Sequence, residues 1–388
     1  IEVADQGSGA TGPGMDSQAL SIIVLDTFAY AAGSGTATVE VINTDTNVFV
    51  TSIAVGGGRS FDQVAVTRNG RYVYVTSPNT DEVTVIDATT NTVVTTIDVS
   101  VDCSTPRGVD TTDLVGIGPR AYVACEASNA VIAIDADDTS GTFNTVVATI
   151  ATVGSATGTP QRIAFTPDGT KAYVTVTTTN EFSAIDAATD TVTATDPFTN
   201  FGCSNPMGVV VLPDGTKAFV ACRSNRKLVR IDVATDADDA QTTTQLGTTG
   251  ASSPDSLAVT PAGDRLYVTL SSGGAGLPEF SIVTVSDLSV QGEGTTGLGV
   301  PFLDGTGPEG GVDANTLPSG VTIPPGTLIE IFMVMMGDAS GNDAPNTQFA
   351  PGTAVFNDGP PVAEGTNNSI TFATGTLPRG IAHIPIPR

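Results

Sequence analysis

An all-β chain built as a ring of repeated sheets is predicted by three observations. Six short strands carry a Tyr or Phe in the same setting: Phe28-Ala29-Tyr30-Ala31, Val73-Tyr74-Val75-Thr76, Ala121-Tyr122-Val123-Ala124, Ala172-Tyr173-Val174-Thr175, Ala218-Phe219-Val220-Ala221 and Leu266-Tyr267-Val268-Thr269. Their aromatic residues stand 44 to 51 positions apart, where a four-stranded repeat needs roughly 40 to 50. Tight-turn dipeptides recur ahead of these strands. With 43 Gly, 24 Pro and no long apolar stretch of 3.6-residue period, the composition leaves little room for helix. The fold class that follows is a seven-bladed β-propeller of four-stranded antiparallel blades, closed by a terminal strand.

Each repeat begins with an apolar strand and a two-residue hairpin. Val64-Ala65-Val66-Thr67 precedes Asn69-Gly70, Ile163-Ala164-Phe165-Thr166 precedes Asp168-Gly169, and Val209-Val210-Val211-Leu212 precedes Asp214-Gly215. Leu257-Ala258-Val259-Thr260 comes before Gly263-Asp264 in the same way. Asn-Gly and Asp-Gly supply the positive φ angles such turns need. The aromatic strand comes next, and a second hairpin completes the unit: Val83-Thr84-Val85-Ile86-Asp87 turns through Ala88 to Asn91 into Val93-Val94-Thr95-Thr96-Ile97. After Tyr267 the next comparable strand is Leu328 to Val334, and Phe332 lies 65 residues on. A seventh blade with loop insertions at 305–326 and 338–368 accounts for the excess.

The C-terminus, Pro378-Arg379-Gly380-Ile381-Ala382-His383, copies the start of a repeat such as Pro160-Gln161-Arg162-Ile163-Ala164-Phe165 and then stops. A lone first strand there would complete the first blade and remove an open edge. Ser21-Ile22-Ile23-Val24-Leu25 competes for the same slot. Residues 1–19 form an N-terminal arm with a Gly-rich tether, and residues 20–388 form one propeller, because each blade packs only on its neighbours.

Tyr74-Val75-Thr76-Ser77 followed by Val85-Ile86-Asp87-Ala88-Thr89-Thr90-Asn91 resembles the YVTN family of propeller repeats, and the likeness extends over about residues 20 to 290. That resemblance implies a propeller of a kind found in surface-layer and other secreted proteins and in relatives of lactonases. It does not name an activity.

Cys103 and Cys125, 22 residues apart, stand at the same places in their repeat as Cys203 and Cys222, 19 apart. Of the three pairings open to four cysteines, this duplicated context selects Cys103 with Cys125 and Cys203 with Cys222 over buried free thiols. Loops of that size are worth ~3 kcal/mol each, and such bonds belong to an oxidising compartment. A first residue other than Met fits a mature secreted chain. The formal charge of −26 opposes nucleic-acid binding. The longest apolar run is far shorter than the ~20 residues of a membrane-spanning helix.

Chemistry is sparse in the sequence. The single histidine, His383, sits in an alternating apolar strand and reads as structural, with no partners for a triad or a multi-histidine metal centre. No haem-attachment, phosphate-loop or Gly-x-Ser-x-Gly motif is present. No cofactor is expected, although bound calcium is an alternative to solvated turns at Asp135 to Gly141 and Asp232 to Asp239. Arg107, Arg162 and Arg379, near the first strands, could form an anion-attracting mouth.

Arg223, Arg226, Lys227 and Arg230 place four of the chain's 15 cations within eight positions. They pair either with the Asp236 to Asp239 turn or with an acidic face of another copy. Ile1-Glu2-Val3-Ala4 alternates like a strand and is a candidate donor to a neighbouring sheet. The Asn367-Asn368-Ser369 sequon permits glycosylation. Together these features lead to an expectation of a secreted, non-enzymatic structural propeller at the cell surface. Its partners would be copies of itself in a filament or surface layer, or other surface proteins and glycans. The alternatives are a lactonase-like hydrolase using the central channel and a carbohydrate- or protein-binding module.

Overall fold

The computed structural model describes residues 28–33, 37–272 apart from short breaks, 279–295, and the strands 312–314, 329–334, 352–358, 368–371 and 378–383. The breaks fall at 44–47, 152, 199, 201, 243–244, 247–251 and 260–262. The arm with Ile1, Glu2, Val3 and Ala4, the candidate strand 21–25, and Asn367 lie outside the described residues.

Four strands make each sheet. The first blade holds β1 (Phe28–Gly33), β2 (Thr38–Asn43) and β3 (Val48–Ala54), and the second β4 (Val64–Val66), β5 (Tyr72–Ser77), β6 (Glu82–Asp87) and β7 (Thr92–Asp98). The third comprises β8 (Pro106–Leu114), β9 (Gly118–Cys125), β10 (Ala130–Asp135) and β11 (Val146–Ala151). In the fourth are β12 (Pro160–Phe165), β13 (Lys171–Val176), β14 (Glu181–Asp186) and β15 (Thr191–Asp196). The fifth has β16 (Pro206–Val211), β17 (Lys217–Cys222), β18 (Lys227–Asp232) and β19 (Ala237–Thr242). The sixth has β20 (Ser252–Val259), β21 (Arg265–Ser272), β22 (Glu279–Thr284) and β23 (Val290–Thr295). The last has β24 (Val312–Ala314), β25 (Ile329–Val334), β26 (Gly352–Asp358) and β27 (Asn368–Thr371), and β28 (Pro378–His383) follows.

Among the described residues these strands form seven four-stranded antiparallel sheets, and β28 is the innermost strand of the first. Ala29 pairs with His383 and Ala31 with Ile381, so the chain's end closes its beginning. The C-terminal segment therefore takes the slot for which residues 21–25 competed. First strands of adjacent sheets touch in the order β28, β4, β8, β12, β16, β20, β24 and back to β28, which makes a ring around a channel. The expected insertions at 305–326 and 338–368 each contribute a strand, β24 and β26. Gly- and Pro-rich flanks conceal both from a periodicity reading. No helix among the described residues is long and apolar enough to cross a membrane.

Adjacent blades are fastened by the repeated aromatic. Tyr122, Ala124 and Val131 of the third blade pack against Ile163, Phe165 and Val174 of the fourth, with the Tyr122 and Phe165 rings edge-on at 5.0 Å. Four of these tyrosines then reach the last hairpin of the next blade. Tyr30 Oη donates to Asn91 Oδ1 at 2.6 Å, Tyr74 to Asn144 at 3.0 Å, and Tyr173 to Asp236 at 2.5 Å. Tyr122 donates to Asp190 in the same manner. The four acceptors have φ of 53°, 61°, 52° and 53° for Asn91, Asn144, Asp236 and Asp190, the left-handed conformation that Asn and Asp tolerate best. Nearby cations join two of the acidic turns: Arg120 meets Asp190 at 2.5 Å and Lys171 meets Asp236 at 2.7 Å.

The exception follows the same logic. The fifth blade carries Phe219, which has no hydroxyl, and the turn it faces carries Leu288 at φ 55°. An apolar contact replaces a polar one, and no buried acceptor is left without a donor.

Replacing Tyr173 with Phe removes a hydrogen bond to a carboxylate and should cost about 1.5–3 kcal/mol in reversible unfolding. Phe219→Tyr buries a hydroxyl against Leu288 and should also destabilise the fold. The pair Phe219→Tyr with Leu288→Asp should recover most of that loss, and no recovery would remove the pairing rule.

Burial, reinforced by the nearby carboxylates Asp87, Asp135, Asp190 and Asp236, pushes the phenol pKa of Tyr30, Tyr74, Tyr122 and Tyr173 respectively above its ordinary value. The folded state then holds these protons where the unfolded chain gives them up, at about pH 10. Stability must therefore fall as pH rises beyond that point. In an alkaline titration, tyrosinate absorbance and loss of β-sheet circular dichroism should rise together. Ionisation of these four tyrosines well before unfolding would contradict this linkage.

Candidate functional site

The chemistry of the ring gathers at the end of the channel where the first strands begin. Those strands share a bulge: register shifts between Pro106 and Val109, Pro160 and Ile163, Pro206 and Val209, and Pro254 and Leu257. A bulge frees backbone groups from the ladder and re-aims side chains. Thr76 Oγ1 accepts from Gln63 N at 3.1 Å and donates to Arg107 O of the next blade at 2.6 Å. Thr175 repeats this two blades further on, with Arg162 N at 3.2 Å and Met207 O at 2.8 Å. The threonine of the repeated aromatic strand thus fixes the backbone from which Arg107 and Arg162 project.

Blades three and five solve the same problem differently. They carry Ala124 and Ala221 in place of threonine, and Gly108 and Gly208 at the bulge. A Cβ on Gly108 would fall 2.5 Å from the Gln161 carbonyl oxygen and 2.7 Å from Arg162 Cα, so only glycine lets the two first strands approach this closely. These are also the disulfide blades. Cys103 bonds Cys125 and Cys203 bonds Cys222, as the duplicated spacing selects. The first bond ties the loop ahead of Arg107 to the residue before Glu126, and Glu126 N donates to Thr105 O at 3.0 Å. Two disulfides point to an oxidising compartment, extracellular or periplasmic.

An ionic cluster results. Arg107 Nε donates to Glu126 Oε2 at 2.6 Å, and its Nη1 lies 3.7 Å from Asp62 Oδ1. Arg162 Nη1 donates to Asp62 Oδ2 at 2.8 Å. Arg223 Nη1 lies 3.8 Å from Asp255 Oδ1. Burial alone would lower the pKa of Arg162, but Asp62, Asp255 and Glu126 outweigh it and hold the guanidinium firmly charged. Exposure divides the cluster. The side chains of Arg107 and Glu126 are 30% and 29% exposed, whereas Asp62 is only 5% exposed. Further along β8, Asp110 accepts Phe165 N at 2.8 Å and Thr111 N at 2.7 Å, and burial pushes its carboxyl pKa up.

Of the three arginines expected at a mouth, Arg107 and Arg162 meet on Asp62. Arg379 occupies the matching position on β28, and its side chain is not among those described. The four clustered cations do not form one patch. Arg223 joins the mouth, Arg226 Nη2 donates to Leu246 O at 2.6 Å, Lys227 opens β18, and Arg230 Nε donates to Asp239 Oδ2 at 2.7 Å. The acidic turns weighed for calcium are engaged by the protein itself. Lys217 takes Asp232 and Asp239 at 2.6 and 3.1 Å, and Arg71 takes Asp138. Among the described residues no group of three or more His, Cys, Asp or Glu is arranged to hold a metal.

Sequence reasoning passed over Asp62, Glu126, Asp255 and Asp110. A signal for two of them is present, since Asp62, Arg107 and Asp255 occupy one repeat position, two residues before Val64, Val109 and Leu257 of the first strands. Aligning the repeats there gives Asp62, Arg107, Gln161, Met207 and Asp255 in successive blades, with Arg162 one position later.

The fold and its comparisons define a β-propeller protein. Residues 62–236 match a family model described as lactonase, 7-bladed β-propeller. That stretch contains five of the six residues of the ionic cluster. A putative 6-phosphogluconolactonase from Bacteroides uniformis shares the fold at 14% identity and a TM-score of 0.63, over 93% of this chain and all of that one. Kuenenia stuttgartiensis hydrazine synthase is similar at 20% identity and a TM-score of 0.58, over 83% of this chain and 89% of that one. A β-propeller domain from Myceliophteria thermophila is similar at 13% identity and a TM-score of 0.57, over 78% and 89% of the two chains. No curated protein sequence matches the chain.

The expectation of a protein without enzymatic activity is corrected by these findings. The lactonase model and the lactonase-fold neighbour point to an enzyme. The surface-layer kinship, and the filament or surface-layer role expected with it, gain no support from them. No linear motif announces the mouth, because its arginine and carboxylate pairs are assembled from five blades.

Arg162→Leu should cost about 3–5 kcal/mol, because it strands the buried Asp62 carboxylate. Arg107→Leu, at a half-exposed pair, should cost clearly less. Equal losses in denaturant midpoint would show that Asp62 does not depend on Arg162.

Proposed function

We propose that this protein is a lactonase-like hydrolase, a seven-bladed ring that opens a small cyclic ester at the mouth of its channel in an oxidising compartment. The observation that carries the reading is the Arg107–Glu126 pair, 2.6 Å apart and partly open to solvent beside a buried Asp62–Arg162 pair. Lactone hydrolysis needs a base for water and positive charge for the oxygen that becomes anionic. Glu126 is the accessible carboxylate and Arg107 the accessible guanidinium.

In this reading water adds to the lactone carbonyl as Glu126 takes its proton. Negative charge gathers on the carbonyl oxygen, where Arg107 holds it without rearrangement. Collapse of the tetrahedral intermediate breaks the ring C–O bond, and the leaving oxygen recovers the proton from Glu126. The product is the open hydroxy acid, which ionises in solution. Asp62 and Arg162 act as positioning residues, since they anchor Arg107 from below and are too enclosed to exchange partners freely.

Acid release from a panel of γ- and δ-lactones tests the proposal. The intact protein should accelerate hydrolysis of at least one lactone, and Glu126→Gln should lower kcat by about 10²-fold or more with the fold retained. Hydrolysis at the spontaneous rate throughout the panel would defeat the reading.

A further inference from the structure

Two interfaces between blades are built alike at the mouth and differ in one pairing. Between blades five and six, Gly208 packs under the Asp255 carbonyl, where a Cβ would fall 2.6 Å from the oxygen, and the Cys203–Cys222 bond precedes Arg223. Between blades three and four, Gly108 packs under the Gln161 carbonyl, where the same distance is 2.5 Å, and the Cys103–Cys125 bond precedes Glu126. Arg223 N donates to Asn205 O at 3.0 Å, and Glu126 N donates to Thr105 O at 3.0 Å. Glu126 and Gln161 are therefore the counterparts of Arg223 and Asp255, whose side chains meet at 3.8 Å.

Gln161 does not complete such a pair. The residue is only 8% exposed, yet its side-chain amide has no hydrogen-bond partner among the described residues; Arg162 Nη1 meets its backbone oxygen at 3.4 Å. Buried amides are ordinarily paired, because giving up water without a partner is costly. This amide is not among the fully enclosed polar atoms, so its polar end opens to the channel. Glu126 is engaged on one side only. Its Oε2 accepts from Arg107 Nε at 2.6 Å, and its Oε1 has no partner among the described residues. A carboxylate oxygen and an amide are thus both unengaged at the two positions where the sister interface forms an ion pair.

We infer that Gln161 orients the attacking water of the proposed hydrolysis. This rests on the lactonase reading and adds a residue to it. One O–H of the water donates to Glu126 Oε1 and the other to Gln161 Oε1, which leaves a lone pair directed at the lactone carbonyl. As the bond to the carbonyl carbon forms, the first proton passes to Glu126. The second stays on the new hydroxyl, held by Gln161 while the ring C–O bond breaks. An amide suits this task because it accepts a hydrogen bond without titrating, and so does not compete with Glu126 for the proton. Holding a small nucleophile at two points lowers the barrier through orientation, without tightening the grip on the substrate.

Gln161→Met tests the inference, because Met207 fills the matching position of the fifth blade. On whichever of γ-butyrolactone, δ-valerolactone and glucono-δ-lactone the intact protein opens fastest, kcat should fall about tenfold or more while KM stays within about twofold. Tm should hold or rise, since the variant removes an unpaired buried amide. Gln161→Glu restores an acceptor and sets a second carboxylate beside Glu126, with Arg107 and Arg162 facing Glu126 as before. It should recover part of kcat and move the acid limb of the pH profile to higher pH, because a like charge disfavours ionised Glu126. An unchanged kcat, a loss carried by KM, a lower Tm for Gln161→Met, or an unmoved pH profile for Gln161→Glu would each overturn the inference and leave the lactonase reading standing. Failure of the intact protein to open any lactone would remove both.

Discussion

The ring depends on one contact between neighbouring blades, the insertion of an aromatic side chain into the last hairpin of the next sheet. Tyr30, Tyr74, Tyr122 and Tyr173 are fully buried, and burying a phenol is tolerable only if its hydroxyl finds an acceptor. The acceptor is an Asn or Asp held at positive φ by the turn itself. Turn geometry and blade packing are thereby coupled, because a residue suited to the left-handed conformation is also one with an oxygen to offer. The Phe219 and Leu288 pair shows the constraint from the other side, since both halves change together.

Closure adds a second constraint. Sheets stacked in an open row would leave two faces unsatisfied, and β28 removes them by joining the chain's end to β1. With the outer architecture fixed, the inner ends of the first strands are pressed together, closely enough that Gly108 admits no Cβ. Charged residues placed there are forced into contact. The ionic cluster is thus a consequence of ring geometry acting on the starts of the first strands and the ends of the second, and the disulfides lock two of the loops that deliver it.

The cluster differs in kind from the ion pairs on the opposite face. Arg120 with Asp190 and Lys171 with Asp236 flank turns and reinforce the tyrosine contacts. At the mouth, by contrast, Asp62 serves two arginines from two further blades. Buried pairs of that kind are poor instruments of stability relative to apolar packing. Their position at a channel entrance beside the part-exposed Arg107–Glu126 pair is what supports the proposed hydrolase reading.

The sequence by itself determined the architecture: the spacing of the aromatics, the Asn-Gly and Asp-Gly turns and the cysteine pairing all rest on local pattern, and local pattern survives in one dimension, whereas the structure decided between Pro378–His383 and residues 21–25 for the closing strand. It also placed Arg107 and Arg162 near a common mouth. The tertiary structure alone decided what those arginines do, and it dispersed the Arg223 to Arg230 cluster that looks compact along the chain. Asp62, Glu126 and Asp255 come from three different blades, separated by 64 and 129 residues, and only the ring brings all three to act on one guanidinium, that of Arg162. A repeat advertises itself through regularity. A site assembled from positions at which the repeats differ becomes visible when the copies face one another across a channel.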